Sequence, residues 1–358
     1  MTIDDRQQPG PRADEAPGPV GARWDLTALR VVGGFIDRRI GWHRIGVLFS
    51  LTIVGIAVFA LYHMLHDINL SAVGDAIVAT NPRHVAMAAA FVVCGYFTLT
   101  FYDYFALRTI GRSEVPYRIA ALAGFTSYSV GHNVGASALT GGAVRYRIYS
   151  ARGLDAIEVA KICFVAGLTF WMGNVAVLGL GIFYEPEAAS AINQLPAWIN
   201  RSFAAAALVG LCLYVTWVWL KPRVIGRHGW RVTLPAGPLT LVQVLIGILD
   251  LTFCAAAMYM LIPDQPYIDF IALGVIFVSA TMLGFASHAP GGIGVFDAAM
   301  LLALWEFDKE PLLAGLLLFR LLYYVIPFAI SLLILGIREL GLSIAASRRR
   351  REERARSR

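Results

Sequence analysis

The segment GHNVGASALTGGAVRYRIYSARG, residues 131–153, lies between apolar stretches yet carries His132, Asn133, five glycines and three arginines. It is too polar for a lipid-facing helix and too deeply embedded for an ordinary surface loop. Backbone that leaves the helix at membrane depth is tolerated only where protein or a water-filled cavity supplies its hydrogen-bond partners. The segment therefore reads as the turning point of a broken helix beside a polar cavity.

The surroundings demand a membrane. The chain is 58% hydrophobic and 15% charged, with a mean hydropathy of +0.64. Too few polar side chains remain to cover one soluble core. Apolar runs at about 44–65, 84–107, 157–184, 202–220, 239–262 and 311–337 reach or approach the ~20 residues that cross a hydrocarbon layer. Two further runs, about 116–150 and 268–305, are interrupted by glycine and polar residues. The fold expected is an all-α polytopic membrane protein with six full transmembrane helices and two broken, re-entrant helical hairpins.

Charge sets the topology. Arg23, Arg30, Arg38, Arg39 and Arg44 place the N-terminal tail, residues 1–43, in the cytoplasm. That tail is rich in Pro, Gly, Asp and Arg, has no apolar core of a signal peptide, and reads as disordered. Basic residues precede the first broken run (Arg108, Arg112, Arg118) and follow it (Arg145, Arg147, Arg152, Lys161), so it should dip in from the cytoplasm and return. Loops poor in Lys and Arg flank the second run, which should dip in from the outer side. Residues 341–358 form a basic cytoplasmic tail. The localisation expected is a bacterial cytoplasmic (inner) membrane with both termini inside.

The membrane domain, 44–340, also contains an internal repeat. Copies at about 84–184 and 239–337 are displaced by about 150 residues, which lays Gly141-Gly142 on Gly291-Gly292 and Asp103 near Asp250. Three spans separate the start of one copy from the start of the next, so the copies run in opposite directions. Inverted repeats with broken helices place a binding site near the midplane. A helix starting after Gly142 would aim its unpaired N–H groups at that cavity, where an anionic headgroup fits. Arg145 and Arg147, with His132 and Asn133 beside them, would add charge-assisted contacts.

In the second broken run, GFASHAPGGIGVFDAAMLLALWEF, Pro290 suits the first turn of a new helix. Gly291, Gly292 and Gly294 loosen the approach and His288 sits at the break; a plain packing kink is the alternative. Asp103, Asp250, Asp297 and Arg320, with Tyr323, form a candidate intramembrane charge network, since ionisable groups at that depth are costly. Asp103 could pair with Arg108, and Arg320 with Asp250 or Asp297. A purely structural buried ion pair is the alternative for the Arg320 pairing. His63, His66 and Asp67 offer no further metal ligand, and no Walker loop or hydrolase triad is visible. No cofactor, metal or nucleic acid is expected. Cys94, Cys163, Cys212 and Cys254 read as buried small hydrophobes.

LTGGAVRYRIYSARGL and SHAPGGIGVFDAAML, with YDYFALR, LDLTFCAAAMYMLIP and LLFRLLYYVIPF, resemble the flippase-like membrane region of the lysylphosphatidylglycerol synthase (MprF) family, whose stand-alone YbhN-type members lack the synthase domain. The resemblance covers about 45–340. It implies an inner-membrane protein that handles lipids, a phospholipid or other anionic lipid, without aminoacyl-transferase activity. It leaves room for a homo-oligomer or a separate lipid-modifying enzyme as partner. A lipid flippase is the expected function; a membrane enzyme or scaffold acting on lipid-linked phosphate is the alternative.

Overall fold

The computed structural model describes residues 70–135, 137–221, 223–227, 230–338 and 340–341. The expected span at 44–65, the tail at 1–43, the His63–His66–Asp67 group and nearly all of 341–358 lie outside these residues. Helix α1 (Leu70–Ala79) precedes α2 (Pro82–Thr109). Asn81 sets the start of α2 by accepting the Arg83 N–H at 3.0 Å, and Pro82 fills a first-turn position that needs no donor. Two shorter helices follow, α3 (Tyr117–Val134) and α4 (Ser137–Tyr149).

Helix α5 (Ala156–Tyr184) begins at a capping box. Asp155 accepts the Glu158 N–H at 2.8 Å while the Glu158 carboxylate accepts the Asp155 N–H at 3.0 Å. After α6 (Pro186–Asn193) and α7 (Ala197–Leu220), strands β1 (Val224–Arg227) and β2 (Trp230–Thr233) form a small antiparallel hairpin with Val224 opposite Thr233. Helices α8 (Gly237–Tyr259), α9 (Phe270–Ala286) and α10 (Val295–Ala303) lead to α11 (Lys309–Arg320). A π-helical turn, Leu321–Val325, carries α11 onward as one apolar helix, Lys309–Arg338.

Among the described residues five helices are long and apolar enough to cross a membrane: α2, α5, α7, α8 and Lys309–Arg338. They coincide with five of the spans read from the sequence. The chain is an all-α, multi-pass membrane protein. The order long helix, helix pair, long helix occurs twice, as α2–α5 and as α8–α11.

Burial separates inner from outer helices. About half of the apolar window of α5 and of α8 is buried, against 11% for α7. Phe203, Val209 and Leu213 of α7 are exposed, a surface that acyl chains can cover. Because lipid is as apolar as leucine, helix association at this depth relies on close packing, and small residues provide it. Helices α5 and α8 cross at Gly173 and Gly247: a Cβ added to Gly173 would stand 2.6 Å from the Gly247 Cα. Gly173→Val should therefore cost about 1–3 kcal/mol through overpacking, read as a lower unfolding midpoint in detergent. Gly210→Ala on α7, where nothing lies within 4 Å, should leave the midpoint unchanged or raise it. Equal midpoints for both variants would mean that α5 and α8 do not meet there.

Two apolar clusters result. One gathers α2, α8, α9, α10 and α11 around Phe277, Phe296, Phe319 and Tyr323, with the Phe319 and Tyr323 rings stacked at 5.3 Å. The other joins the end of α2 to α3, α4, α5 and the β-hairpin through Leu107, Ala120, Ile148, Ile162 and Val232. All four cysteines are free thiols; Cys254 is buried, whereas Cys94 and Cys212 are exposed rather than buried, because both sit on outward faces of their helices.

Candidate functional site

Helices α3 and α4 pack against one another and are joined by two residues. Gly135 ends α3 at φ +82°, a conformation that residues with a Cβ rarely adopt. The break thus falls at Gly135, not at Gly141-Gly142, and the new helix starts at Ser137. Gly141 and Gly142 lie inside α4. Gly141 serves close approach instead, since a Cβ there would stand 3.0 Å from the Ser127 carbonyl of α3.

The α9–α10 pair breaks over residues 287–294. His288, Gly291, Gly292 and Gly294 all have positive φ, and Pro290 opens a 3-10 turn, Pro290–Gly292. The Ser287 hydroxyl ties the break down, donating to the Gly284 carbonyl at 2.6 Å and accepting the Ala289 N–H at 3.2 Å. The two breaks touch. A Cβ on Gly135 would lie 3.3 Å from the His288 carbonyl oxygen and 3.4 Å from the Pro290 Cα, so the two tips meet backbone to backbone.

Each helix pair is locked by a carboxylate–guanidinium pair, buried in the first and part-buried in the second. In the first, Asp103 of α2 accepts Arg145 of α4 in a fork, with Nε 3.0 Å from both carboxylate oxygens and Nη2 2.8 Å from Oδ1. The Tyr149 hydroxyl adds a third donor at 2.8 Å. Asp103 is wholly buried. The pairing of Asp103 with Arg108 does not occur; Arg108 lies over the Tyr104 ring at 4.7 Å. Arg145, expected to hold a headgroup, is committed to Asp103, because a guanidinium at this depth is far less costly beside a carboxylate than alone.

In the second pair, Arg320 of α11 donates from Nε to Asp297 Oδ1 at 2.9 Å and from Nη2 to Oδ2 at 2.6 Å. Its Nη1 reaches the Gly291 carbonyl at 3.0 Å, and Asp297 accepts the Gly294 N–H at 3.0 Å. Of the two partners open to Arg320, Asp297 is the one used. The pair does more than cancel charge, since it pins both ends of the glycine-rich break.

The π-helical turn has a sequence cause. Pro327 has no N–H, so the Tyr323 carbonyl, four residues earlier, lacks its helical donor. The Tyr96 hydroxyl supplies one at 2.9 Å. The neighbouring Tyr324 carbonyl accepts from the Asn133 side chain at 3.2 Å, which also donates to the Ser129 carbonyl at 2.8 Å.

Between these parts lies a cavity of about 290 Å³. His132, Asp250, His288, Gly291, Gly292 and Tyr323 line it, so six of the residues singled out in the sequence converge there. Gly294, Asp297, Arg320 and Asn133 do not line it, although Arg320 and Asn133 donate to the carbonyls of Gly291 and Tyr324, which do. Gly141, Gly142, Asp103 and Arg145 do not line it, although Arg145 lies 5.3 Å from the ring of Tyr128, which does. Arg147 is exposed on α4. His132 Nδ1 is 2.8 Å from the Tyr128 carbonyl, and His288 Nδ1 is 2.9 Å from that of Ala286.

Asp250 is the distinctive group in this cavity. It is 3% exposed and accepts the Tyr102 hydroxyl at 3.0 Å. Among the described residues no Lys, Arg or His forms an ion pair with it, and no group of three metal-ligating side chains is present. Tyr102, Tyr128 and Tyr149 were not singled out from the sequence, and Cys254 was read only as a buried small hydrophobe, because an aromatic residue or cysteine within an apolar helix carries no local sign of its partner.

No family model matches the chain. It is similar to the uncharacterized protein slr0712 of Synechocystis, 30% identical over 265 residues, covering 72% of this chain and 80% of that protein. The inner membrane protein YbhN of Escherichia coli is 29% identical over 256 residues, 69% of this chain and 77% of YbhN. Phosphatidylglycerol lysyltransferase of Staphylococcus aureus is 26% identical over 212 residues, 59% of this chain and 24% of that much longer protein. With its helices, paired breaks and these likenesses together, the chain belongs to the YbhN/MprF-related family of membrane proteins that includes slr0712.

Proposed function

We propose that the protein is a lipid translocator that shelters a phospholipid headgroup in the cavity between its two helix breaks while the acyl chains stay in the bilayer. One observation carries this reading: the tips of two broken helix pairs meet around a cavity that holds a buried carboxylate without a cationic partner among the described residues. Such a charge is costly unless a ligand completes it. With Arg145 and Arg320 already neutralised, the cavity suits a headgroup that brings hydrogen-bond donors to Asp250. Its phosphate would face the turn at Pro290–Gly292.

In this reading the helix pairs are re-entrant hairpins entering from opposite faces, as inverted repeats would place them, with both termini cytoplasmic. The phospholipid named in the lysyltransferase relatives supports a glycerophospholipid as cargo. The protein does no covalent chemistry here; the rival reading is an enzyme acting on lipid-linked phosphate.

Proteoliposomes test it. Purified protein should speed the exchange of phosphatidylglycerol and phosphatidylethanolamine between leaflets, read with membrane-impermeant reagents, with lipid masses unchanged. Asp250→Asn keeps the shape and an acceptor for Tyr102, so folding should survive. Exchange should fall about tenfold, the effect of roughly 1.4 kcal/mol lost from the rate-limiting complex. Altered lipid mass would replace translocation with enzymology, and exchange no faster than in empty vesicles would sink it.

A further inference from the structure

A second hollow, of about 460 Å³, lies on α2, α3 and the helix Lys309–Arg338. Val93, Phe97, Phe125, Leu322, Ile326 and Ile330 are among its lining residues, and its walls are almost wholly apolar. Along α2 the lining runs from Ala89 to Thr100, about eleven helical steps or roughly 16 Å. One leaflet's hydrocarbon is about 15 Å thick, half of ~30 Å.

The groove and the cavity share a wall. Leu99 faces the cavity and Thr100 the groove; Leu322 faces the groove, Tyr323 and Tyr324 the cavity. The wall is one aromatic layer thick, with the Tyr96 ring 5.3 Å from both Phe125 and Tyr323. It is pinned by the Tyr96 hydroxyl on the Tyr323 carbonyl, which the downstream proline leaves without a helical donor.

We infer that this groove is an acyl-chain site for the lipid whose headgroup occupies the neighbouring cavity, and that the Tyr96–Tyr323 contact is the partition between the two. This rests on the translocator reading for the headgroup half. The groove half stands on its length, its apolar lining and its opening through exposed Val93 and Ile330. A chain held there would keep one end of the lipid at a fixed depth while the headgroup leaves the interface.

Photolabelling tests the site. The full chain is reconstituted with a trace of phosphatidylglycerol bearing a diazirine near the end of one acyl chain, irradiated, digested and mapped by mass spectrometry. Adducts on Val93, Phe97, Ile326 and Ile330 should exceed those on Phe203 and Leu213 of α7 by about tenfold, the ratio that 1.4 kcal/mol of preference gives. Val93→Trp with Ile330→Trp should abolish the excess, and Leu213→Trp should not. Labelling no richer in the groove than on α7, or an excess that survives both tryptophans, overturns the acyl-chain site. Leaflet exchange is measured in the same vesicles. Enriched labelling without exchange keeps the groove and removes the translocator; exchange without enrichment does the reverse.

Discussion

Asp103→Ala should destabilise the protein by about 3–5 kcal/mol, the cost of leaving one member of a buried ion pair behind. Asp103 is wholly buried and receives the Arg145 fork and the Tyr149 hydroxyl, so its removal orphans three donor contacts or more. The loss should appear as a lower unfolding midpoint in detergent and poor recovery of folded protein. Arg145→Met should be similarly severe. Combining Asp103→Leu with Arg145→Met should recover most of the loss, because an apolar pair leaves no stranded charge and costs far less than either single change. Single variants as stable as the parent would show that α4 is not tied to α2 in this way.

Arg320→Gln should have the largest effect on translocation. It strands the Asp297 carboxylate and releases the Gly291 carbonyl, loosening the break that lines the cavity. A charge-assisted hydrogen bond is worth about 1.5–3 kcal/mol, so a drop in exchange rate of tenfold or more is expected. Arg320→Lys keeps the charge but not the fork, and should recover only part of the rate. Exchanging the charges, Arg320→Glu with Asp297→Arg, should also fall short. The Gly294 N–H would lose its acceptor, and the Gly291 carbonyl would face a carboxylate. Rate and unfolding midpoint should be read together. Full recovery in the charge-exchanged variant would mean that the backbone contacts of this pair do not shape the cavity.

The two broken regions were legible because membrane depth makes polar, glycine-rich sequence conspicuous. Where the first of them turns was not. Gly141-Gly142 looks like the hinge, yet Gly135 takes the left-handed conformation and Gly141 lets α3 and α4 touch. A lone glycine that permits a turn and one that permits an approach look alike in a string of letters. Only the neighbouring backbone distinguishes them. Pro327 is the opposite case, since the orphaned carbonyl at Tyr323 follows from covalent structure alone, although the donor that satisfies it sits on a distant helix.

The amino-acid sequence alone determined the membrane class, five of the long helices among the described residues and the two interruptions, because hydrocarbon thickness and hydrogen-bond satisfaction act on contiguous segments. It also marked the depth at which charged residues occur. Tertiary structure decided which carboxylate meets which guanidinium: Arg145 with Asp103, Arg320 with Asp297, and Asp250 with neither. Charge pairing depends on distances of a few ångströms between residues tens of positions apart, and only the packed helices set those distances.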